Sequence, residues 1–479
     1  MSDTTPEQID ALARAAARAH EALLATDGAE RAGWLRAVAD SLDAAVDELV
    51  QLADQETALG ETRLRGEVAR TTGQLRLFGG VAEEGSYLEA VIDHADPAAT
   101  PPRPDLRRIL RPVGPVAVFA ASNFPFAFSV AGGDTASALA VGCPVIVKAH
   151  PGHPLTSRRT ADLVAGALQN AGAPEGTFAL VEGYDAGLAL VDHPAIAAVS
   201  FTGSVAGGRA LHDRAAARPT PIPFFGELGS INPVVITRSA DESRGDVLAQ
   251  GLAGSFQLGA GQFCTKPGVV FVPRDSTVAE KLPSLVGQAP HRMLTESIAA
   301  GFHRGLEHLS QVPGVTVVAG AEAPDDSAAP VVVRADAATL AEHADTLFDE
   351  VFGPLTVLID YDDEQQVTSA LSNLGGSLTG TLHAEDGDDV GDLVAALERI
   401  SGRVLFQGWP TGVAVTWSQH HGGPYPATTS QHTSVGATAV RRFLRPIAYQ
   451  DAPASVLPAA LREENPLGIP RRVDGVLQP

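Results

Sequence analysis

Positive charge is in short supply in this 479-residue chain: 34 Lys and Arg face 57 Asp and Glu, for a formal charge of −23. A field of that sign repels phosphate backbones and anionic membranes. No basic cluster offsets it, and Arg441-Arg442 stands alone, so neither nucleic acid nor a membrane surface is an expected partner. Cysteine is scarcer still. Two thiols cannot make a disulfide framework, and the beginning Met1-Ser2-Asp3-Thr4-Thr5-Pro6-Glu7 lacks the charged-then-apolar order of a secretory signal, so a reducing cytoplasm is expected. A membrane helix needs roughly 20 consecutive apolar residues. Pro112 to Lys148 comes nearest, and Ser122-Asn123-Phe124-Pro125 and Gly132-Gly133-Asp134 break it. There is no Walker sequence and no dinucleotide fingerprint. The 14 histidines include no set with Cys or carboxylates at ligand spacing and no His-Glu-x-x-His helix, so no metal is expected.

What is present is length, apolar residues and rhythm. Single cores stop growing at about 250 to 300 residues, so two or more domains are expected. Residues 7 to 77 carry helical spacing (Leu35, Val38, Leu42, Val46, Leu49, Leu52) and no catalytic punctuation, and they read as packing material. Tyr87 to Asp93 and Leu106 to Leu110 are extended pieces joined by a Pro-rich excursion, Asp96 to Pro104, which is either an arm for subunit contact or a surface loop. From Val113 strands and helices alternate: strand Val113 to Ala120, helix Phe126 to Val141, strand Val145 to Lys148, helix Ser157 to Ala171, strand Phe178 to Glu182, strand Ala197 to Phe201, helix Val205 to Ala217. Such alternation predicts right-handed crossovers in a doubly wound parallel sheet, with ligands beyond the carboxyl ends of the strands. Those ends carry Asn123, Lys148, Gly183 and Thr202-Gly203-Ser204. A second α/β domain follows from about Leu228 to Gln419. The segment from His420 onward is irregular and is expected to lie along a domain rather than form one.

Four features could carry chemistry. Cys264 sits in the Gly-punctuated loop Gly259 to Gly268 before an apolar strand, where it is either a presented nucleophile or a small buried hydrophobe. Cys143, entering a buried strand, is structural. Glu227 follows Pro221-Ile222-Pro223-Phe224-Phe225-Gly226, and burial there should raise its pKa into the range of a general base; a paired structural carboxylate is the alternative. The turn Phe201 to Gly208 runs from a strand into a helix, whose free amides suit a pyrophosphate. Lys148 closes a strand and can meet a phosphate or reach water, while His150 and His153 read as solvated loop residues.

Taken in order, Asn123-Phe124-Pro125, Lys148, Phe201-Thr202-Gly203-Ser204, Glu227-Leu228-Gly229, Gly261-Gln262-Phe263-Cys264 and Glu350-Val351-Phe352-Gly353-Pro354 resemble the aldehyde dehydrogenase superfamily, from about Gln8 to Arg445. Asn123 through Thr135, Val147 through Pro151 and His421 through Thr428 are similar to a branch acting on 2,5-dioxovalerate (α-ketoglutaric semialdehyde) or, with NADP, on fatty aldehydes. The ending Tyr449-Gln450 through Leu457-Pro458 to Asn465-Pro466 favours the former. The resemblance implies an α/β fold of the aldehyde dehydrogenase kind: a doubly wound parallel-sheet cofactor domain (1–85 and 112–227), an α/β catalytic domain (228–430) and an oligomerisation arm and tail (86–111 and 431–479). It implies a homodimer or homotetramer.

The same resemblance makes Cys264 the nucleophile, Asn123 with the Cys264 N–H the oxyanion site, and Glu227 the base for hydrolysis of a thioester. Glu350 and Phe352 would meet the nicotinamide half of the cofactor, and Thr202, Gly203 and Ser204 its pyrophosphate. His421 is an active-site or substrate-binding residue by analogy, against the plain reading of a hydrogen-bonded loop histidine. Two departures bear on specificity. Pro151 stands where many NAD-using members carry a Glu, which points to NADP over NAD with Lys148 near its 2′-phosphate. Ala121-Ser122 replaces a common Pro-Trp pair. Other semialdehydes or fatty aldehydes are the alternative substrates, and a cofactor-independent cysteine hydrolase is the alternative of a different class.

Overall fold

The computed structural model describes residues 3–478, whose strands fall into sheets of five, two, seven and five. The first five-stranded sheet runs in the order Phe178–Val181, Val145–Lys148, Val116–Phe119, Ala198–Thr202, Phe224–Glu227, all parallel. Its central strands are Val- and Ile-rich and buried on both faces, as a sheet covered by helices requires. Chain order reverses between Val116–Phe119 and Ala198–Thr202, and a reversal of this kind opens a crevice at the carboxyl ends. Asn123 and Thr202-Gly203-Ser204 follow those two strands.

The rhythm read from sequence holds, with one substantive change. The expected helix Phe126 to Val141 begins only at Gly133. Residues 123–131 form turns instead, because the buried Glu67 carboxylate accepts the Phe126 and Ala127 N–H groups at 2.8 and 3.0 Å and folds the segment onto itself. A side chain at Gly132 would sit 2.5 Å from the Ala127 carbonyl, so this close approach requires glycine.

The seven-stranded sheet has the order Thr316–Ala319, Val331–Asp336, Leu355–Tyr361, Val269–Pro273, Val234–Ile236, Ser377–His383, Ser401–Phe406, antiparallel only at its first pair. Short linkers from Glu227 to Val234 tie it to the first sheet. In the third sheet the last stretch of the chain has a larger part than its irregular sequence suggests. Leu444–Gln450 pairs antiparallel with Leu106–Pro112 along its whole length, and Arg471–Val473 adds parallel to Ala90–Asp93. The Pro-rich excursion closes on itself through Asp96 and Arg103, whose backbones exchange hydrogen bonds at 2.8 and 2.9 Å.

Four helices, Pro6–Leu23, Gly28–Ala44, Val46–Thr57 and Glu61–Glu84, cover this core, burying Leu35, Val38, Leu42, Leu49, Leu64, Val68, Leu75 and Phe78. The reading of residues 7 to 77 as packing material is therefore right for their apolar faces. It fails for Arg63, Glu67 and Arg70, which line one face of Glu61–Glu84 and turn toward Asn123 and Cys264. Among the described residues no helix is long and apolar enough to cross a membrane.

Candidate active site

Cys264 lies between the short 3-10 turn Leu258–Gly261 and strand Val269–Pro273. The turn is set by three consecutive left-handed residues, Gly259, Ala260 and Gly261, at φ of 58, 56 and 65°. A Cβ on Gly261 would lie 2.3 Å from the Gly353 carbonyl, so the loop carrying the thiol is pressed against the loop Glu350 to Pro354. Asn232 fixes it from behind, its amide donating to the Cys264 and Lys266 carbonyls at 2.8 and 3.0 Å. Cys143, by contrast, is fully buried and its thiol is pushed up to about 12 by burial, as expected for a structural residue.

Three segments far apart in sequence converge on the Cys264 sulfur. Its Sγ is 3.6 Å from His421 Nε2, and the same nitrogen is 3.1 Å from Glu227 Oε1. Ser434 donates to Glu227 Oε2 at 2.7 Å. The thiol, imidazole and carboxylate atoms all lie within 4.8 Å of one another, a donor set invisible to sequence spacing. Glu227 ends its strand. The segment from His420 to Gly436 wraps over that end through a Glu227–Thr428 bridge and a Leu228 N–H bond to Ala427 at 2.8 Å, which is how an irregular stretch delivers both His421 and Ser434. His421 thus lies against both the thiol and the carboxylate, and Ser434 joins them from a stretch with no motif to mark it.

The electrostatics revise one expectation. Burial does push the Glu227 carboxyl up, but the charge and hydrogen bond of His421, with hydrogen bonds from Ser434 and Cys264, outweigh it and hold the group at about 2. Glu227 is therefore an ionised partner of His421 rather than a buried acid of raised pKa. The Cys264 thiol is pushed well above its usual range by burial and by the neighbouring Glu227 charge, with Arg70 pulling the other way.

Asn123 is buried, and its side-chain amide donates to the Gln262 carbonyl at 3.1 Å, which sets it beside the Cys264 loop. The Cys264 N–H carries no hydrogen bond among the described residues. Glu350 accepts the Ser230 N–H at 3.1 Å and is pushed up to about 7 by burial, partly offset by the buried Lys266. Lys266 itself is brought down to about 8 by burial and donates to the Leu355 and Val351 carbonyls at 2.6 and 3.3 Å. Phe352 is half-buried in the same loop.

At the crevice of the first sheet, Gly203 and Ser204 are exposed, and Ser204 caps helix Val205–Ala216 by accepting the Gly207 N–H at 3.2 Å. That exposed helix N-terminus beyond a parallel strand suits an anion such as a pyrophosphate. Lys148 ends strand Val145–Lys148 on the far side of Val116–Phe119, half-buried and lowered by burial, beside helix Tyr184–Asp192. The donors and glycines at this crevice fit a dinucleotide. The reading of His150 and His153 as solvated is overturned: His153 is fully buried, bonded to the Ala121 carbonyl at 2.9 Å and Ser157 at 3.1 Å, and burial holds His150 near 3.

A last group was missed because it lies on a helix. Arg63 stacks on Phe124 and Phe263 at 5.2 and 4.7 Å from the ring centres and donates to the Asn123 carbonyl at 2.6 Å. Arg70 lies over Phe128 and Phe124 at 5.4 and 5.8 Å. Arg63 Nε and Nη1 and Arg70 Nε and Nη2 are buried without a partner. An unmet buried donor costs about 1–3 kcal/mol, more when charged, so leaving four in one wall is a substantial expense.

A dinucleotide crevice on a doubly wound sheet, facing a cysteine loop on a second α/β sheet, is the layout of a nicotinamide-dependent aldehyde dehydrogenase, and the chain belongs to the aldehyde dehydrogenase family, which it matches over residues 1–424. Among particular relatives it is 48% identical to alpha-ketoglutaric semialdehyde dehydrogenase 2 of Azospirillum brasilense, covering 95% of this chain and 89% of that protein. It is 42% identical to the alpha-ketoglutaric semialdehyde dehydrogenase of Acinetobacter baylyi, over 99% of this chain and 92% of that one. The fold is that of solved family members such as aldehyde dehydrogenase 21 of Physcomitrella patens, with a TM-score of 0.80 at 22% identity and coverage of 95% and 92%. The protein is an enzyme that oxidises aldehydes with a nicotinamide cofactor.

Proposed function

We propose that this enzyme oxidises 2,5-dioxovalerate to 2-oxoglutarate with NADP, through a thioester on Cys264. The observation that carries the reading is the meeting of the Sγ of half-buried Cys264 with the buried His421 and Glu227. The two relatives above 40% identity, both named for this semialdehyde, support the substrate.

In the first half-reaction the thiol proton passes to the His421–Glu227 pair, and the thiolate attacks the aldehyde carbon. His421 Nε2, 3.6 Å from Cys264 Sγ and 3.1 Å from Glu227 Oε1, receives that proton and holds it against the carboxylate, so the two groups act as one proton-holding unit. The oxygen of the resulting hemithioacetal gathers charge, and the Asn123 amide and Cys264 N–H meet it; a donor so placed is worth about 3–4 kcal/mol. Nicotinamide, when bound beside Glu350 and Phe352, would supply the acceptor for the hydride lost from that carbon. Cys264 is left as an acyl thioester.

In the second half the pair, having released the thiol's proton to solvent, takes a proton from water as the water attacks the thioester carbonyl. The C–S bond breaks, the carboxylate leaves and the sulfur recovers a proton. Ser434 keeps Glu227 aimed at His421 throughout. Thr202, Gly203 and Ser204 would hold the pyrophosphate, Lys148 the 2′-phosphate, and Glu350 and Phe352 the nicotinamide half. Pro151 leaves no carboxylate to repel a 2′-phosphate, and Arg158 engages Glu182 at 2.6 Å, which keeps that nearby acid from facing the ribose as a free anion.

We assign residues 1–85 and 112–227 to cofactor binding, 228–430 to catalysis, and 86–111 with 431–479 to subunit assembly as a homodimer or homotetramer. Absorbance growth of reduced nicotinamide with purified enzyme, 2,5-dioxovalerate, succinate semialdehyde or hexanal, and NADP or NAD tests the reading. A higher kcat/KM for hexanal than for 2,5-dioxovalerate, or for NAD than for NADP, overturns the corresponding part.

A further inference from the structure

Arg63, Glu67 and Arg70 occupy one face of helix Glu61–Glu84, four and then three residues apart, so that their side chains stand in a row. Glu67 Oε1 holds the Phe126 and Ala127 N–H groups and thereby the turn that carries Phe124 and Phe128, while its Oε2 makes no hydrogen bond and its charge is felt by both arginines. Their guanidinium planes lie on the rings of Phe124, Phe128 and Phe263, three aromatics packed with centres 5.2 and 5.3 Å apart. Arg63 Nε and Nη1 and Arg70 Nε and Nη2 remain without partners, and unmet guanidinium N–H groups suit capture of a carboxylate.

The wall is continuous with the reacting groups. Phe263 adjoins Cys264, and the Phe128 ring is 6.4 Å from that of His421. The Arg70 charge acts on both Cys264 and Glu227, and no salt bridge neutralises Arg63 or Arg70 among the described residues. The two cations outnumber the one carboxylate between them, inside a chain whose overall charge is strongly negative.

We propose that Arg70, backed by Arg63, is the anchor for a carboxylate at the far end of the substrate, so that this site selects aldehydes bearing a distal anionic group over neutral ones. The proposal rests on the reading that Cys264 attacks an aldehyde, and it adds the residues that choose which aldehyde. A neutral substrate would leave the guanidinium edges unpaired in a dry wall, and sites built to hydrogen-bond a group reject analogues lacking it far more strongly than an apolar pocket discriminates size.

Two measurements on the full-length enzyme test it. The first is the ratio of kcat/KM for 2,5-dioxovalerate to that for hexanal in wild type, Arg70→Met, Arg70→Lys and Arg63→Met. The second needs no turnover: protection of Cys264 from iodoacetamide by glutarate, a five-carbon dicarboxylate, read by mass spectrometry. Arg70→Met should lower the ratio about 100-fold and weaken glutarate protection at least tenfold. Arg70→Lys should recover part of both, and Arg63→Met should show a smaller loss of each.

If Arg70→Met slows both substrates equally and leaves glutarate protection intact, Arg70 acts only on the thiol and the proposal is overturned. Should Arg70→Met melt well below wild type, Arg70→Lys decides, since unchanged protection and ratio with a point charge in place of the fork would also reject the anchor. A wild-type preference for hexanal would overturn the selectivity. A wild-type preference for succinate semialdehyde over 2,5-dioxovalerate together with Arg70-dependent glutarate protection would sink the substrate named above and leave the anion site standing. Preference for 2,5-dioxovalerate untouched in Arg70→Met would do the reverse.

Discussion

The charge of Glu227 should hold the Cys264 thiol in its protonated form, and removing that charge should release it. The two groups lie within 4.8 Å. With an effective dielectric of about 20, two unit charges at that distance repel by roughly 3.5 kcal/mol, which corresponds to about 2.5 pH units in an ionisation midpoint. Glu227→Gln keeps the shape and the hydrogen-bonding oxygen while deleting the charge. The assay is the pH dependence of Cys264 alkylation by iodoacetamide without substrate or cofactor. Cys143 provides the internal blank because it is fully buried and its thiol is pushed up to about 12. The midpoint for Cys264 should fall by about two pH units in Glu227→Gln, so that alkylation at pH 8 accelerates tenfold or more while aldehyde turnover is lost. An unchanged or raised midpoint would refute the assignment of Glu227 as an ionised neighbour of the sulfur, whatever happens to turnover.

Asn123→Ala should cut kcat by about 10² to 10³ with little change in KM, as loss of one oxyanion donor does; initial rates check it. Ser434→Ala removes a 2.7 Å donor from Glu227, a charge-assisted bond worth about 1.5–3 kcal/mol, so the acid limb of the kcat–pH profile should move to higher pH. Since the folded Glu227 carboxyl is held at about 2 against an ordinary 4.5, the stability it contributes is complete above about pH 4.5 and lost as pH falls toward 2. Urea melts across that window should show a steeper acid loss in wild type than in Glu227→Gln. Gly261→Ala places a Cβ 2.3 Å from the Gly353 carbonyl at a φ of 65°; a drop in Tm with at least tenfold lower activity is expected. Zinc ions should inhibit through the Cys264, His421 and Glu227 donors, reversibly with a chelator and less so in His421→Ala.

The sheet, the cysteine loop and the crevice were readable because each rests on a local signal: buried apolar runs of strand length, glycines at turns, an acid or amide at a strand end. Asn123, Glu227 and Cys264 all announce themselves in that way. The pKa of Glu227 was not readable, since its sign depends on His421, 194 positions away in sequence and brought to 3.1 Å by a segment with no periodicity at all. His153 was misread for the same reason. A polar residue in a Pro- and Gly-flanked stretch looks solvated until the strand end it caps is known to be covered.

Arg63 and Arg70 illustrate a different blindness. Helical periodicity identifies the apolar stripe of Glu61–Glu84 through Leu64, Val68 and Leu75, and assigns every other face to water by default. That default fails where a second element lies over the polar face. Here the turn 123–128 does so, tied down by Glu67 from the same helix, and it converts what would be two solvated arginines into half-buried cations over aromatic rings, with guanidinium nitrogens cut off from water. Each charge so buried carries a desolvation cost that only an anion can repay. Under the proposed anchor, a distal carboxylate on the substrate would meet that cost, and the polar face of a packing helix would then read substrate charge.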